Sequence, residues 1–155
     1  MKITSPAFEE DARIPDRFVM KAAGGMNISL PLRWENAPAG TKSFALSITD
    51  PHPVAKNWVH WLAINIPAVI AELKEGASGK GMPPGSRELE NSFGEAGYGG
   101  PQPPRGTGDH PYVCTIHALS VENLGLPPET SLAAFQKALE GKVLARATIT
   151  GKYSR

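Results

Sequence analysis

The chain has one cysteine, Cys114, in 155 residues. A lone thiol excludes an internal disulfide and any metal centre built from cysteines alone. Its apolar neighbours point to a buried, unreactive side chain. Neither sign of charge is in excess: 16 Lys and Arg stand against 15 Asp and Glu, with no basic run. Nucleic-acid binders carry a clustered basic surplus, so nucleic acid is not an expected partner. No segment reaches the roughly 18 consecutive apolar residues of a membrane span. The most apolar stretch, 58–71, is broken by His60, Asn65 and Pro67. The first residues turn acidic at Glu9, Glu10 and Asp11 with no apolar signal-peptide core, which points to the cytoplasm. Metal and nucleophile motifs are missing too. There is no His-Glu-x-x-His, no Cys–His zinc spacing, no Gly-x-Ser-x-Gly and no phosphate-cradling P-loop. Gly97-Tyr98-Gly99-Gly100 is not followed by a helical pattern, so it is no dinucleotide fingerprint. Neither a metal nor a cofactor is expected.

What the chain has in quantity is turn-forming residues. Its 16 glycines and 15 prolines make up one residue in five, against an ordinary share of about 12%. Together with a length typical of one domain, this suits a β-rich domain over 1–155 with many irregular connections. In 43–49, Phe44, Leu46 and Ile48 alternate with small residues, which predicts a strand. The 58–66 segment is apolar on both faces and predicts a central strand. Strict alternation there puts Trp58, His60, Leu62, Ile64 and Ile66 on one side, and Val59, Trp61, Ala63 and Asn65 on the other. Further strands are predicted over 112–121 and 143–150. One helix is predicted over 131–139, behind Thr130 or Ser131 as N-cap and before Gly141 as stop. A shorter helical turn is predicted over 68–74, and minor or edge strands over 17–20 and 30–34, since Pro31 cannot donate to a central ladder. Residues 76–111 form a long, aperiodic Gly/Pro-rich loop, of a length that is usually functional.

Chemistry has few candidate carriers. Asp50 ends the first strong strand, followed by Pro51-His52-Pro53; His60 and His117 lie within strands, and His110 follows the long loop. A lone histidine on an apolar strand face is more often a hydrogen-bonded core residue than a ligand contact. Spacing alone leaves both readings open.

Two separated motifs narrow the choice. One runs through 36–44 to Thr49-Asp50-Pro51, then Trp58-Val59-His60-Trp61 and Asn65-Ile66-Pro67. The other runs from Gly97-Tyr98 through Pro103-Pro104-Arg105-Gly106-Thr107-Gly108 to His110 and Tyr112. In this order and separation they resemble the phosphatidylethanolamine-binding protein family, in its prokaryotic Raf-kinase-inhibitor-like branch. The resemblance implies a β-sandwich-like core with few short helices and a small preformed anion pocket. Carried over residue by residue, that pocket comprises Asp50, Trp58, His60, Gln102, Pro103, His110 and Tyr112. His60 and His110 would donate charge-assisted hydrogen bonds to a phosphate group and Tyr112 a neutral one, while Asp50 would set a histidine tautomer or receive an ammonium. The resemblance further implies a phosphorylated small ligand, a regulatory role toward a kinase or protease, and a homodimer. A hydrolase or lyase using Asp50, His60 and His110 is the competing class, disfavoured because no Ser, Cys or Lys stands beside them. The chain departs from the family pattern twice. His52 stands where a second aspartate is usual, and Pro111 stands where the His-Arg-Tyr run has arginine.

Overall fold

Alternating apolar and small residues pair into two antiparallel sheets. In the computed structural model, which describes residues 1–155, the strands in chain order are Lys2–Thr4 (β1), Leu32–Glu35 (β2), Ser43–Asp50 (β3), Trp58–Pro67 (β4), Glu72–Leu73 (β5), Arg87–Glu88 (β6), His110–Leu119 (β7) and Val143–Tyr153 (β8). One helix, Leu132–Leu139 (α1), precedes the last strand. The larger sheet has the order β6-β4-β3-β7-β8 and the smaller β1-β2-β5. The sheets face each other across the main core, where Ile3, Leu32, Trp34 and Leu73 meet Phe44, Leu46, Ile48 and Ile116. On the outer face of the larger sheet, Phe135 and Leu139 of α1 pack on Ala45, Leu62, Ile64 and Leu119. The mainly-β sandwich with few helices is therefore the architecture.

The four main strands and the helix lie where periodicity puts them, with ends that differ by a few residues. β7 starts at His110 rather than Tyr112, and β8 runs on to Tyr153. In β7, His110, Tyr112, Cys114, Ile116 and Ala118 are all buried on one face, as alternation requires. Burial pushes the Cys114 thiol far above its ordinary range, so it is an inert core group. Ser131 caps α1 by accepting from the Ala134 amide at 3.1 Å, and Gly141 follows with φ of 71°.

Two local expectations are overturned, and a third, the minor or edge strand over 30–34, is borne out as a minor strand only. The 68–74 segment is not helical; after a turn at Pro67–Ile70 it becomes β5, because Leu73 pairs with Leu32 and is buried by the sandwich. Residues 17–20 form no strand. Pro15 leads into a 3-10 turn over Asp16–Phe18 that buries Phe18. β2 is the middle strand of the small sheet rather than an edge, and Pro31 stands just outside it. The long loop also holds a little structure, since β6 extends the edge of β4.

β4 is covered on both faces, but its alternation is broken twice. Phe44 pairs with Ile66 and Leu46 with Ala63, so β4 carries one extra residue there, at Asn65 with φ of 58°. Thr49 pairs with Val59 and Ile48 with Trp61, which leaves His60 as a second extra residue. Trp61 and Ala63 therefore face the main core, while Leu62 and Ile64 face α1, the reverse of strict alternation. Trp58, His60 and Ile66 keep the side predicted for them.

The loop reaches the sandwich through close backbone approach. A Cβ on Gly100 would lie 2.1 Å from the Phe18 carbonyl oxygen. Gly100→Ala is therefore expected to cost about 1–3 kcal/mol through overpacking, lowering the thermal midpoint by roughly 3–10 °C. A calorimetric scan checks it, and an unchanged midpoint would contradict the packing.

Candidate functional site

The ends of three strands meet at one end of the larger sheet. β3 ends at Asp50, opposite Trp58 at the start of β4, and β7 begins beside them with His110 and Tyr112. The extra residue at His60 turns that ring to the same side as Tyr112, with ring centroids 4.9 Å apart, edge to face. The loop supplies Gln102 and Pro103. All seven residues singled out in the sequence line one cavity of about 350 Å³. Val54, Ala55, Phe93 and Pro104 complete its wall.

The loop is held in place by polar contacts to the sheet and to the irregular segment before β2. The Gly99 amide donates to the His60 carbonyl at 2.8 Å, and the Gly100 amide to Asn27 Oδ1 at 2.8 Å. Glu88 on β6 accepts from Trp61 Nε1 at 2.7 Å and from the Gly79 amide at 2.8 Å. The Tyr98 hydroxyl donates to the Phe18 carbonyl at 2.9 Å.

At the base of the cavity lies a fully engaged polar chain. His110 Nδ1 is 2.6 Å from Asp50 Oδ2, both groups being buried. Asp50 Oδ1 accepts from the His52 amide at 2.9 Å. His110 Nε2 is 2.8 Å from Thr107 Oγ1, and that hydroxyl donates its one hydrogen to the Pro104 carbonyl at 2.7 Å. Toward His110 the hydroxyl can only accept, so Nε2 carries a proton. A second proton lies between Nδ1 and the carboxylate. The pair is thus net neutral whichever atom holds that proton, and neither His110 nitrogen is left for a ligand. The His52 ring stacks on His110 at 3.8 Å and 18°. Its Nδ1 accepts from the Val54 amide at 3.2 Å.

His60 takes a role opposite to the one read from its sequence. Nδ1 donates to the Gly99 carbonyl at 2.6 Å. Burial drives its pKa down to about 4, outweighing the Gly99 hydrogen bond and the Asp50 charge, which raise it. At neutral pH the ring is uncharged and Nε2 is an acceptor. The Tyr112 hydroxyl is buried with no hydrogen-bond partner; the Gln102 backbone is close but not in bonding geometry. Burial, then the Asp50 carboxylate, raises its pKa, so it stays a donor.

Thr107, Phe93 and His52 were not assigned from the sequence. Thr107 lies within the quoted loop motif, but nothing in the spacing pairs it with His110. Phe93 sits edge-on to both Trp58, at 5.3 Å, and His60, at 5.8 Å. The departure at Pro111 has a simple accommodation. It lies opposite Lys152, whose backbone groups turn away from β7 to Ala12 and Ile14, so the Pro111 nitrogen faces the β3 side. There the ladder begins only at Val113.

Residues 4–154 match the model of the phosphatidylethanolamine-binding protein family. The chain belongs to that family. A UPF0098 protein of Aquifex aeolicus is 40% identical over 155 residues, covering 100% of this chain and 89% of that protein. UPF0098 protein YbhB of Escherichia coli is 37% identical over 160 residues, covering 99% of this chain and 100% of that protein. The crystal structure of E. coli YbcL, described as a new member of the mammalian PEBP family, superposes with a TM-score of 0.93 at 34% identity. That match covers 99% of this chain and 98% of YbcL. No helix of this family member is long and apolar enough to cross a membrane.

Removing one partner of a buried charged pair typically costs about 3–5 kcal/mol. Asp50→Ala is expected to lose stability on that scale in urea unfolding, and Asp50→Asn less, since an amide oxygen still accepts from His110. Equal losses for the two variants would show that the acceptor at this position is not what matters.

Proposed function

We propose that this protein binds a small phosphorylated ligand, of the phosphoethanolamine headgroup type, in the cavity between Asp50, His60 and Tyr112. The family fold and the relatives support a ligand-binding protein. The observation that carries the finer reading is the Tyr112 hydroxyl, a buried donor without a partner at the cavity wall. An unsatisfied buried donor costs about 1–3 kcal/mol, a loss that a ligand oxygen would recover. His60 Nε2 supplies the complementary acceptor. A phosphate monoester holding one proton matches both: its P–OH donates to Nε2 while another oxygen accepts from Tyr112. Trp58, partly exposed at the mouth, offers its ring face to an ammonium. The same chemistry on a phosphorylated side chain is the route by which the protein would engage a kinase or protease.

Binding is favoured over catalysis by one feature. Asp50, His110 and Thr107 are joined in the order of a nucleophilic triad. Thr107, however, is not among the residues lining the cavity, and its hydrogen is committed to Pro104.

Titration calorimetry with phosphoethanolamine tests the reading. Tyr112→Phe is expected to weaken binding by about 10- to 100-fold, the equivalent of a hydrogen bond to a charged group at roughly 1.5–3 kcal/mol. His60 stays neutral above about 4, so the pH profile follows the ligand's own second ionisation near pH 6. Above that value the ligand loses the proton offered to Nε2, and affinity falls. Affinity that ignores both Tyr112→Phe and pH would place the ligand elsewhere. The protein is also read as a homodimer, expected in light scattering as a species of twice the 16.5 kDa chain mass. A clean monomer at micromolar concentration would refute that.

A further inference from the structure

The outer face of the larger sheet carries a second cavity, on the opposite side of the sheet from the first. It measures about 630 Å³ and lies beside α1, over the outward side chains of β3, β7 and β8. Its origin is legible in the strand pattern. The outward residues of β3 next to the helix are small and polar, Ser47 and Thr49, so they leave a hollow where larger side chains would fill it. Thr115 and His117 of β7 continue the floor, and Arg146 pairs with His117 across the ladder to β8. The far wall is apolar: Leu132, Phe135 and Leu139 of α1 line it, with Phe135 edge-on to His117 at 6.2 Å.

The polar floor offers donors. His117 Nδ1 is buried and has no hydrogen-bond partner. A proton there would be an unsatisfied buried donor, so the neutral ring carries its proton on Nε2. Burial, reinforced by the Arg146 charge, lowers the His117 pKa to about 4 and keeps the ring neutral. Arg146 makes no ion pair within the chain. Its guanidinium fork, which matches a carboxylate with two parallel bonds, is therefore free. Glu140, exposed at the end of α1, is the one carboxylate lining the cavity. One cation opposed by one exposed carboxylate suits a monoanion better than a dianion.

We propose that this groove is a second ligand site, taking a small molecule that carries a single carboxylate on an apolar body. The carboxylate pairs with Arg146 and the floor hydroxyls, and the body lies against Phe135 and Leu132. The volume is within the range of about 300–1,000 Å³ usual for small-molecule sites. The groove is on the opposite face from Tyr112, so the proposal stands independently of the phosphate reading.

Octanoate is the probe, titrated into isotope-labelled protein and followed by NMR at neutral pH. Saturable shifts are expected at Ser47, Thr115, His117 and Arg146, undisturbed by saturating phosphoethanolamine. The bound anion is expected to raise the His117 titration above its free midpoint of about 4. Arg146→Met, on an exposed position, should weaken octanoate at least tenfold, and Thr115→Leu, which fills the floor while leaving the guanidinium, should do the same. Shifts confined to the Tyr112 cavity, no saturation at millimolar octanoate, unchanged affinity in both variants, or equal binding of octylamine would each overturn the proposal.

Discussion

The hydrogen bond between His110 and Asp50 is the contact on which one whole end of the molecule depends. It ties the last residue of β3 to the first of β7, where the backbone ladder between those strands has already stopped. Two ionisable groups removed from water are costly unless every lone pair and proton finds a partner. Here each does: Asp50 also receives the His52 amide, and His110 also reaches Thr107. Thr107 in turn fixes the loop at Pro104, and His52 lies flat on the His110 ring. The cavity is therefore preformed, because its floor is the by-product of satisfying one buried pair.

The larger sheet separates two chemical environments. Toward the small sheet, at the strand ends, an aromatic-walled cavity presents one donor and one acceptor around a net-neutral base. Toward α1, a wider groove presents a guanidinium over hydroxyls. Burial neutralises one histidine on each side, His60 and His117. What differs is the neighbouring charge: the Asp50 carboxylate works against the loss of His60's proton, whereas Arg146 promotes the loss of His117's.

Period-two alternation was enough to find β3, β7 and β8, because each buries one face against the main core. It failed in β4 between Trp61 and Ile64, where both faces are apolar and nothing in the residue types marks an extra residue. It failed at Leu73, whose partner Leu32 lies far away in the chain, so the segment after Pro67 reads as a helical turn until that partner is in place. The cavity residues were legible through the family motif rather than through spacing. That Asp50 would join His110 rather than His60 depends on which strand end leans over which. The charge of His60 depends on how completely Phe93, Tyr112 and the Gly99 segment enclose it. Both are properties of the closed fold.

The two extra residues of β4 have a consequence for how the strand can change over evolutionary time. Like a pair of compensating frameshifts, each reverses the inside-outside order and together they restore it, so only the segment between them reads in the alternate frame. Either one can nonetheless be lost alone. Ile64 and Ile66 already lie on opposite faces, so without Asn65 they become ordinary neighbours and nothing beyond them inverts. Val59 and Trp61 do the same without His60, and Trp58 keeps its place opposite Asp50. What the fold cannot absorb is a straightened β4 with all its residues kept, since every side chain past the lost bulge would then change face. The two surplus positions are thus where the strand tolerates deletion, although at His60 the cavity would lose its acceptor.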